Sequence, residues 1–228
     1  MLFAVLALAQ TAPPNAQGVA MGHLHLNTRD PQAVRQFWTA LGASTVKLGP
    51  MEGYKIRGML VFVRRADAAG GTEGSVIGHI GLAVRDLKTS LARWKAAGIR
   101  IESEGARQAF LAGPDGLRVE ISEAPALPAE IACHHLHFYN RAVLESRGWY
   151  AKMFGAIPGR RGRFEAADLP GVNLSFSDAP AVPAPTKGRA LDHIGFEVRN
   201  LPEFCKRLEA AGVRFDVPYR KVPARSLA

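Results

Sequence analysis

Four stretches of the chain alternate between apolar and polar or small positions: GHLHLN at His23, GHIGLAV at His79, CHHLHFY at His135 and DHIGFEV at His193. Successive side chains of a strand point to opposite faces. Each stretch therefore has an apolar face, such as Leu24 and Leu26 or Ile80, Leu82 and Val84, and a second face that carries imidazole. The apolar face predicts a helix packed against it, which leaves the histidine face lining a concavity. These histidines stand 56, 56 and 58 residues apart, and the segments between them repeat as well. After each strand comes a residue able to cap a helix (Asp30, Asp86, Asn140, Asn200), whose side-chain oxygen accepts from the free amides of the first turn. Apolar residues then recur at helical spacing (Val34, Phe37, Trp38, Leu41; Leu87, Leu91, Trp94) until a glycine suited to the left-handed C-terminal position (Gly42, Gly98, Gly155, Gly212). A short β-like piece follows each glycine (STVKL, IRIES, AIPG, VRFDV), and in the first three units two more follow it. The chain reads as one βαβββ unit written four times.

Composition adds scale. With 228 residues and 47% hydrophobic content, the chain can bury one or two full cores. Consecutive units are expected to pair, units one and two over residues 21–124 and units three and four over 130–228, divided at the Pro-rich APALPA near Pro125. The segment SDAPAVPAPTKGRA, between units three and four, is expected to run extended on the surface. A net charge of +9 draws anions or settles on a solvated surface. No zinc-finger, helix-turn-helix or RNA-stacking pattern accompanies it, so nucleic acid is not an expected partner; Gly-rich phosphate loops and nucleophile elbows are absent too. Two cysteines, Cys133 and Cys205, do not make a disulfide scaffold and are expected to stay apart.

The phrases GHLHLNTRDPQAVRQFWTALGA, GHIGLAVRDLKTSLARWKAAGI and FLAGPDGLRVEISE resemble the vicinal oxygen chelate superfamily, which includes glyoxalase I, fosfomycin- and bleomycin-resistance proteins and extradiol dioxygenases. The resemblance implies an α+β fold, four βαβββ modules paired into two cupped sheets, with the fourth module lacking its last strands. It also implies a divalent metal in the cup, with ligands at His23, His79 and Glu120. Glu120 shares a strand face with Arg118 and Ser122, opposite Leu117, Val119 and Ile121. Two imidazoles and one carboxylate, leaving positions open, suit Fe(II), with Mn, Zn or Mg as alternatives. No organic cofactor is expected. His25, two residues beyond His23 on the same face, is a candidate acid or base.

Departures from the family narrow the reaction. Aligning Gly58 with Gly116 places Phe62 where Glu120 stands in unit two, and Ser175 takes that position in unit three. Glyoxalase I uses two carboxylates, so the three-ligand pattern resembles the dioxygenases and thiol transferases more closely. The second pair would offer His135 and His193, without a carboxylate unless Glu197 reaches in. The expected activity is a metal-dependent reaction, dioxygenase-like, on a small oxygen-chelating substrate; the alternatives are a metal-free binding protein of the bleomycin-resistance type and a glyoxalase- or lyase-type enzyme. The expected partners are that small molecule and, at most, a second copy in a homodimer.

Residues 1–20 read as a signal peptide and linker. Leu2 to Leu8 is an apolar run too short to span a bilayer, and Ala7-Leu8-Ala9 supplies small residues for cleavage, although no Lys or Arg precedes the run. Export to the periplasm or outside the cell is the expected localisation, with the cytoplasm as the alternative, and no membrane association is expected beyond export.

Overall fold

Asp30 accepts from the amides of Gln32 and Ala33, Asp86 from Thr89 and Asn200 from Glu203, so three of the four anticipated caps start their helices as the sequence implies. The fourth differs: Asn140 accepts from the amide of Ala142, which itself precedes the helix. All four stop glycines have positive φ, from 67° to 104°. In this computed structural model, residues 11–48 and 51–220 are described. The first unit consists of β1 (Val19–Thr28), α1 (Pro31–Leu41), β2 (Ser44–Leu48), β3 (Met51–Ile56) and β4 (Met59–Arg65). The second has β5 (Ile77–Val84), α2 (Leu87–Ala96), β6 (Arg100–Glu104), β7 (Gln108–Ala112) and β8 (Arg118–Glu123). In the third come β9 (Ile131–Asn140), α3 (Val143–Phe154), β10 (Ile157–Arg161), β11 (Phe164–Leu169) and β12 (Val172–Asp178). The fourth contributes β13 (Leu191–Val198) and α4 (Leu201–Ala210).

The fold is α+β, with two mixed sheets. One runs β13-β1-β4-β3-β2, the other β10-β11-β12-β9-β5-β8-β7-β6. This pairing corrects the expected one: unit two joins unit three in the larger sheet, and unit one joins unit four in the smaller. The connection from β8 to β9 spans only residues 124–130, which lets β9 turn back antiparallel beside β5. The Pro-rich stretch near Pro125 is thus a turn within one sheet, where a boundary between module pairs was expected. The longer connections, 66–76 and 179–190, run between the sheets and are pinned to each other by a parallel bridge from Ser75 to Ala184. The first of them also rests on the turn before β8: Thr72 donates its amide to the Gly116 carbonyl (3.0 Å), and its hydroxyl accepts from the Arg118 amide (3.0 Å). A Cβ on Gly71 would lie 2.4 Å from the Gly116 oxygen, so only glycine permits this approach.

The helices bury the stripes that the periodicity picked out, Val34, Phe37, Trp38 and Leu41 on α1 and Leu87, Leu91 and Trp94 on α2. Each such side chain contributes about 1.5–3 kcal/mol by leaving water. In the fourth unit VRFDV is not a strand. In unit two the corresponding β6 is held only by β7, and β7 by β8; on the outer side of β13 no described strand provides such a ladder. Residues 1–10, where the apolar leader was read, lie outside the described residues. Residues 11–18 precede β1, and Asn15 donates to the carbonyls of Phe154 and Gly155 at the end of α3 (2.9 and 3.1 Å). Among the described residues no helix is long and apolar enough to cross a membrane. Cys133 and Cys205 are both free thiols.

Candidate metal centre

The two central strands of the larger sheet, β5 and β9, set Gly81 opposite His135 and His79 opposite His137. A Cβ at Gly81 would stand 2.0 Å from the His135 ring. The missing side chain is what admits the imidazole. Between the pairs Gly81–His135 and Leu82–Cys133 the register slips, a β-bulge that leaves His134 unpaired. On the other flank of β5, the parallel strand β8 places Glu120 beside Gly81. The carboxylate therefore meets the two imidazoles over one glycine.

Three buried donor atoms converge there. His79 Nε2 lies 3.0 Å from Glu120 Oε2, His135 Nε2 lies 3.5 Å from the same oxygen, and the two nitrogens are 3.2 Å apart. Donors at right angles on bonds of about 2.1 Å would be separated by about 3.0 Å, and a tetrahedral pair by about 3.4 Å. The triangle thus has the size of one face of a metal coordination shell. Ser122 donates to the other carboxylate oxygen (3.1 Å), which leaves Oε2 to face the imidazoles. Burial alone would raise the Glu120 carboxyl, but hydrogen bonds from His135 and His79 outweigh it and hold the group well below the usual carboxylate range. Burial lowers His135 to about 4, against the pull of Glu120. Burial and the neighbouring His79 and His135 lower His137 to about 3. At neutral pH Glu120 is then a carboxylate and His135 a neutral imidazole, the forms that bind a cation.

His137 is a third imidazole of this cluster; one nitrogen from each of His79, His135 and His137 lies within 4.8 Å of the others. Its Nε2 is 2.8 Å from Ser177 Oγ, and its ring stacks on Tyr139 at 4.8 Å. Nδ1 of His79 and Nδ1 of His137 are buried without a protein partner. His135 Nδ1 has one, His134 Nδ1 at 3.0 Å. Ser175, paired in register with His137, is at the position equivalent to Glu120. It carries no carboxylate; its hydroxyl accepts from Arg161 Nε (2.8 Å) and donates to Asn173 Oδ1 (2.7 Å). A cavity of about 290 Å³ reaches the centre at His79, walled by Gly78, Arg118, Tyr139 and residues 179–183. The Pro-rich segment is therefore a wall of the access route as well as a surface loop.

The sequence expectation named His79 and Glu120, which do meet, but grouped them with His23, which does not join them. His23 lies on β1 in the smaller sheet, with His25 and His193, again with one nitrogen each within 4.8 Å of the others. His135 and His193, expected to form a second site together, are likewise in different sheets. Strand pairing sorts the same histidines differently: His23 corresponds to His135, His25 to His137 and His193 to His79. The candidate acid or base His25 is correspondingly remote from Glu120, and His137 holds its place there. In the smaller sheet Phe62 packs edge-on against His23 (ring centroids 5.3 Å apart), and no described strand flanks the outer side of β13 to supply a carboxylate. Glu197 is not part of the cluster; burial raises its carboxyl. The nearest acid is Asp192, whose Oδ1 is 2.6 Å from His193 Nδ1. The signal that sequence reasoning left unused was His137, two residues beyond His135 on the same face, as His25 is beyond His23.

Residues 20–121 match the family described as the Glyoxalase/Bleomycin resistance protein/Dioxygenase superfamily. Over these residues the chain is similar to domains of that superfamily. The fold of the chain is shared with solved structures: glyoxalase I from Zea mays superposes with a TM-score of 0.68 at 15% identity, covering 85% of this chain and 79% of the maize chain. A proposed dioxygenase from Bacillus subtilis subsp. subtilis str. 168 gives 0.60 at 14% identity, covering 85% and 75%. No curated protein matches the sequence.

Proposed function

We propose that the chain is a divalent-metal-dependent enzyme that uses His79, His135 and Glu120 as its ligands and acts on a small substrate chelating through two neighbouring oxygens. The observation that carries this reading is the buried triangle of donors with 3.0–3.5 Å edges. A bound ion would act there as a Lewis acid with coordination positions to spare. Around it the protein's own groups have separate tasks. Ser122 fixes the carboxylate so that one oxygen faces the imidazoles. His134 meets the outer nitrogen of His135 and orients its ring. Phe110 packs edge-on against His79 (5.4 Å) and Phe164 against His137 (4.6 Å), which keeps water from the donors. Tyr139 and Arg118 wall the access cavity, where they can hydrogen-bond a substrate hydroxyl.

Ser175 shapes the choice of reaction. An isomerisation needing a second carboxylate as ligand and base has none at that position, whereas an oxygen-dependent ring cleavage needs open positions and three ligands. The reading is therefore dioxygenase-like, with Fe(II) the favoured ion. Anaerobic protein loaded with Fe(II) is expected to change its absorption spectrum with catechol-type substrates and, once oxygen is admitted, to form a yellow ring-opened product. Turnover of the methylglyoxal–glutathione adduct without any response to catechols would overturn it.

A further inference from the structure

A cavity of about 960 Å³ lies at the other end of β9 from the access route, where the β3–β4 turn of the smaller sheet meets the β11–β12 turn of the larger. Gly58 and Gly171, both at positive φ, allow that meeting: a Cβ on either would come within 3.2 Å of the other's carbonyl oxygen. Lys55, Arg57, Arg160 and Arg161 line the cavity, against one carboxylate, Asp168. That carboxylate already accepts from Asn173 Nδ2 at 2.7 Å.

The cations are only partly compensated. Arg57 has no ion pair among the described residues. Arg160 has a long contact to Glu165 (3.6 Å) and donates to the Arg163 carbonyl (3.1 Å). Arg161 is partly buried, with its side chain 23% exposed; Nε donates to Ser175, and the approach of Nη1 to Glu120 Oε1, 3.9 Å, is too long for a hydrogen bond. A guanidinium carries five donors, so four of those of Arg161 have no protein acceptor among the described residues. Withdrawing such a cation from water without acceptors is costly, and a ligand bearing oxyanions would supply them.

We propose that this cavity is a binding site for a small organic polyanion bearing carboxylate or phosphate groups, held by Arg57, Arg160 and Arg161. Planar guanidinium forks suit both groups by paired, charge-assisted hydrogen bonds, and a concave wall of one sign concentrates the field. The cavity does not include the donors of the metal centre, so this site holds whether or not the metal reading does. Calorimetric titration of the metal-free full chain, dialysed free of chelator, with citrate and with inorganic phosphate at about 0.15 M salt tests it. Saturable one-to-one binding is expected, and Arg57→Gln combined with Arg160→Gln should raise Kd at least tenfold. Arg29→Gln combined with Arg35→Gln, which removes the same charge elsewhere, should leave Kd within twofold. Citrate binding alone would assign the site to carboxylates, and phosphate alone to phosphorylated compounds. Absence of saturable binding by either, or equal losses in the two double variants, would overturn the proposal. Circular dichroism of each variant separates loss of the site from loss of the fold.

Discussion

The two sheets carry equivalent sets of three histidines on equivalent strands, and in only one of them does a carboxylate from a flanking strand meet two of the imidazoles. In the larger sheet β5 is an interior strand, with β9 on one flank and β8 on the other, so Glu120 enters beside Gly81. In the smaller sheet β13 has β1 on one flank and no described strand on the other. Burial follows from that neighbour: His79, His135 and His137 are closed off from water, whereas His23 and His25 are half-buried and His193 is exposed. The repeated strand supplies imidazoles to both clusters; what separates a candidate metal centre from a surface cluster is the strand beside it. Phe62 and Ser175 make the same point, since neither first-flank strand, β4 or β12, carries an acid at the position of Glu120.

The largest effect that can break this comparison is on metal affinity. His79→Ala, His135→Ala and Glu120→Ala should each weaken binding of a divalent ion at least a hundredfold, about 2.8 kcal/mol at about 1.4 kcal/mol per tenfold. His23→Ala and His193→Ala should change the tightest-binding site by less than threefold. Competition titration against a chromophoric chelator reads both. Equal losses in the two sets would show that the clusters act together and that the carboxylate does not distinguish them.

Acidification should expose the difference in burial. His135 and His137 have folded pKa values of about 4 and about 3, below the ordinary 6.5. The unfolded chain therefore binds more protons between those values and 6.5, so stability is whole above pH 6.5 and falls as pH drops toward 3. For His135 alone the loss is on the order of 3 kcal/mol. Urea unfolding of metal-free protein at pH 7, 5.5 and 4.5 should show a declining midpoint, and His135→Phe should flatten the decline more than His25→Phe. His25 is also lowered by burial, but it is more open to solvent. An unchanged midpoint across this range would contradict the enclosed, neutral state of His135 and His137.

Gly81→Ala and Gly195→Ala probe the two clusters through one atom each. The added Cβ would stand 2.0 Å from the His135 ring in one case and 2.1 Å from the His23 ring in the other. His135 is enclosed, so its displacement should cost about 1–3 kcal/mol and most of the metal affinity. His23 can swing toward solvent, and Gly195→Ala should cost less than half as much. Thermal unfolding with and without metal distinguishes the two.

Much of the unit was legible before any coordinates. Caps at Asp30, Asp86 and Asn200, the stop glycines, the buried stripes of α1 and α2 and the inward-facing Glu120 all follow from short-range patterns. Which unit pairs with which was not legible. Units two and four have glycine two residues after the histidine (Gly81, Gly195), and units one and three have histidine there (His25, His137). An antiparallel pair sets the glycine of one strand opposite the histidine of the other, so units one and three cannot be partners, but unit one with two and unit one with four satisfy the rule equally. The decision rests on connection length and on the Ser75–Ala184 bridge, both properties of the assembled chain. Asn140 failed as a cap for a local reason: its side chain accepts from the amide of Ala142, the residue just before α3 begins.

The smallest expected effect concerns the acid that the smaller sheet does possess. Asp192 Oδ1 meets His193 Nδ1 at 2.6 Å, and its Oδ2 accepts from the Gly188 amide (2.7 Å), Asn27 Nδ2 (3.2 Å) and Arg64 (3.4 Å). Burial works against its charge, but these partners lower the carboxyl to about 2. Its contribution is accordingly present above pH 4 and lost only as pH falls through 2. The side chains of Arg64 and His193 are about half exposed, so solvent screens the contacts, and Asp192→Asn should cost no more than about 1 kcal/mol at neutral pH. It should leave the affinity of the buried centre for metal unchanged, because Asp192 fixes β13 and its histidine without touching β5, β8 or β9. A tenfold or greater change in that affinity would mean that the two sheets are coupled through the linkers at Gly188 and Arg189, and that the clusters cannot be compared as independent sites.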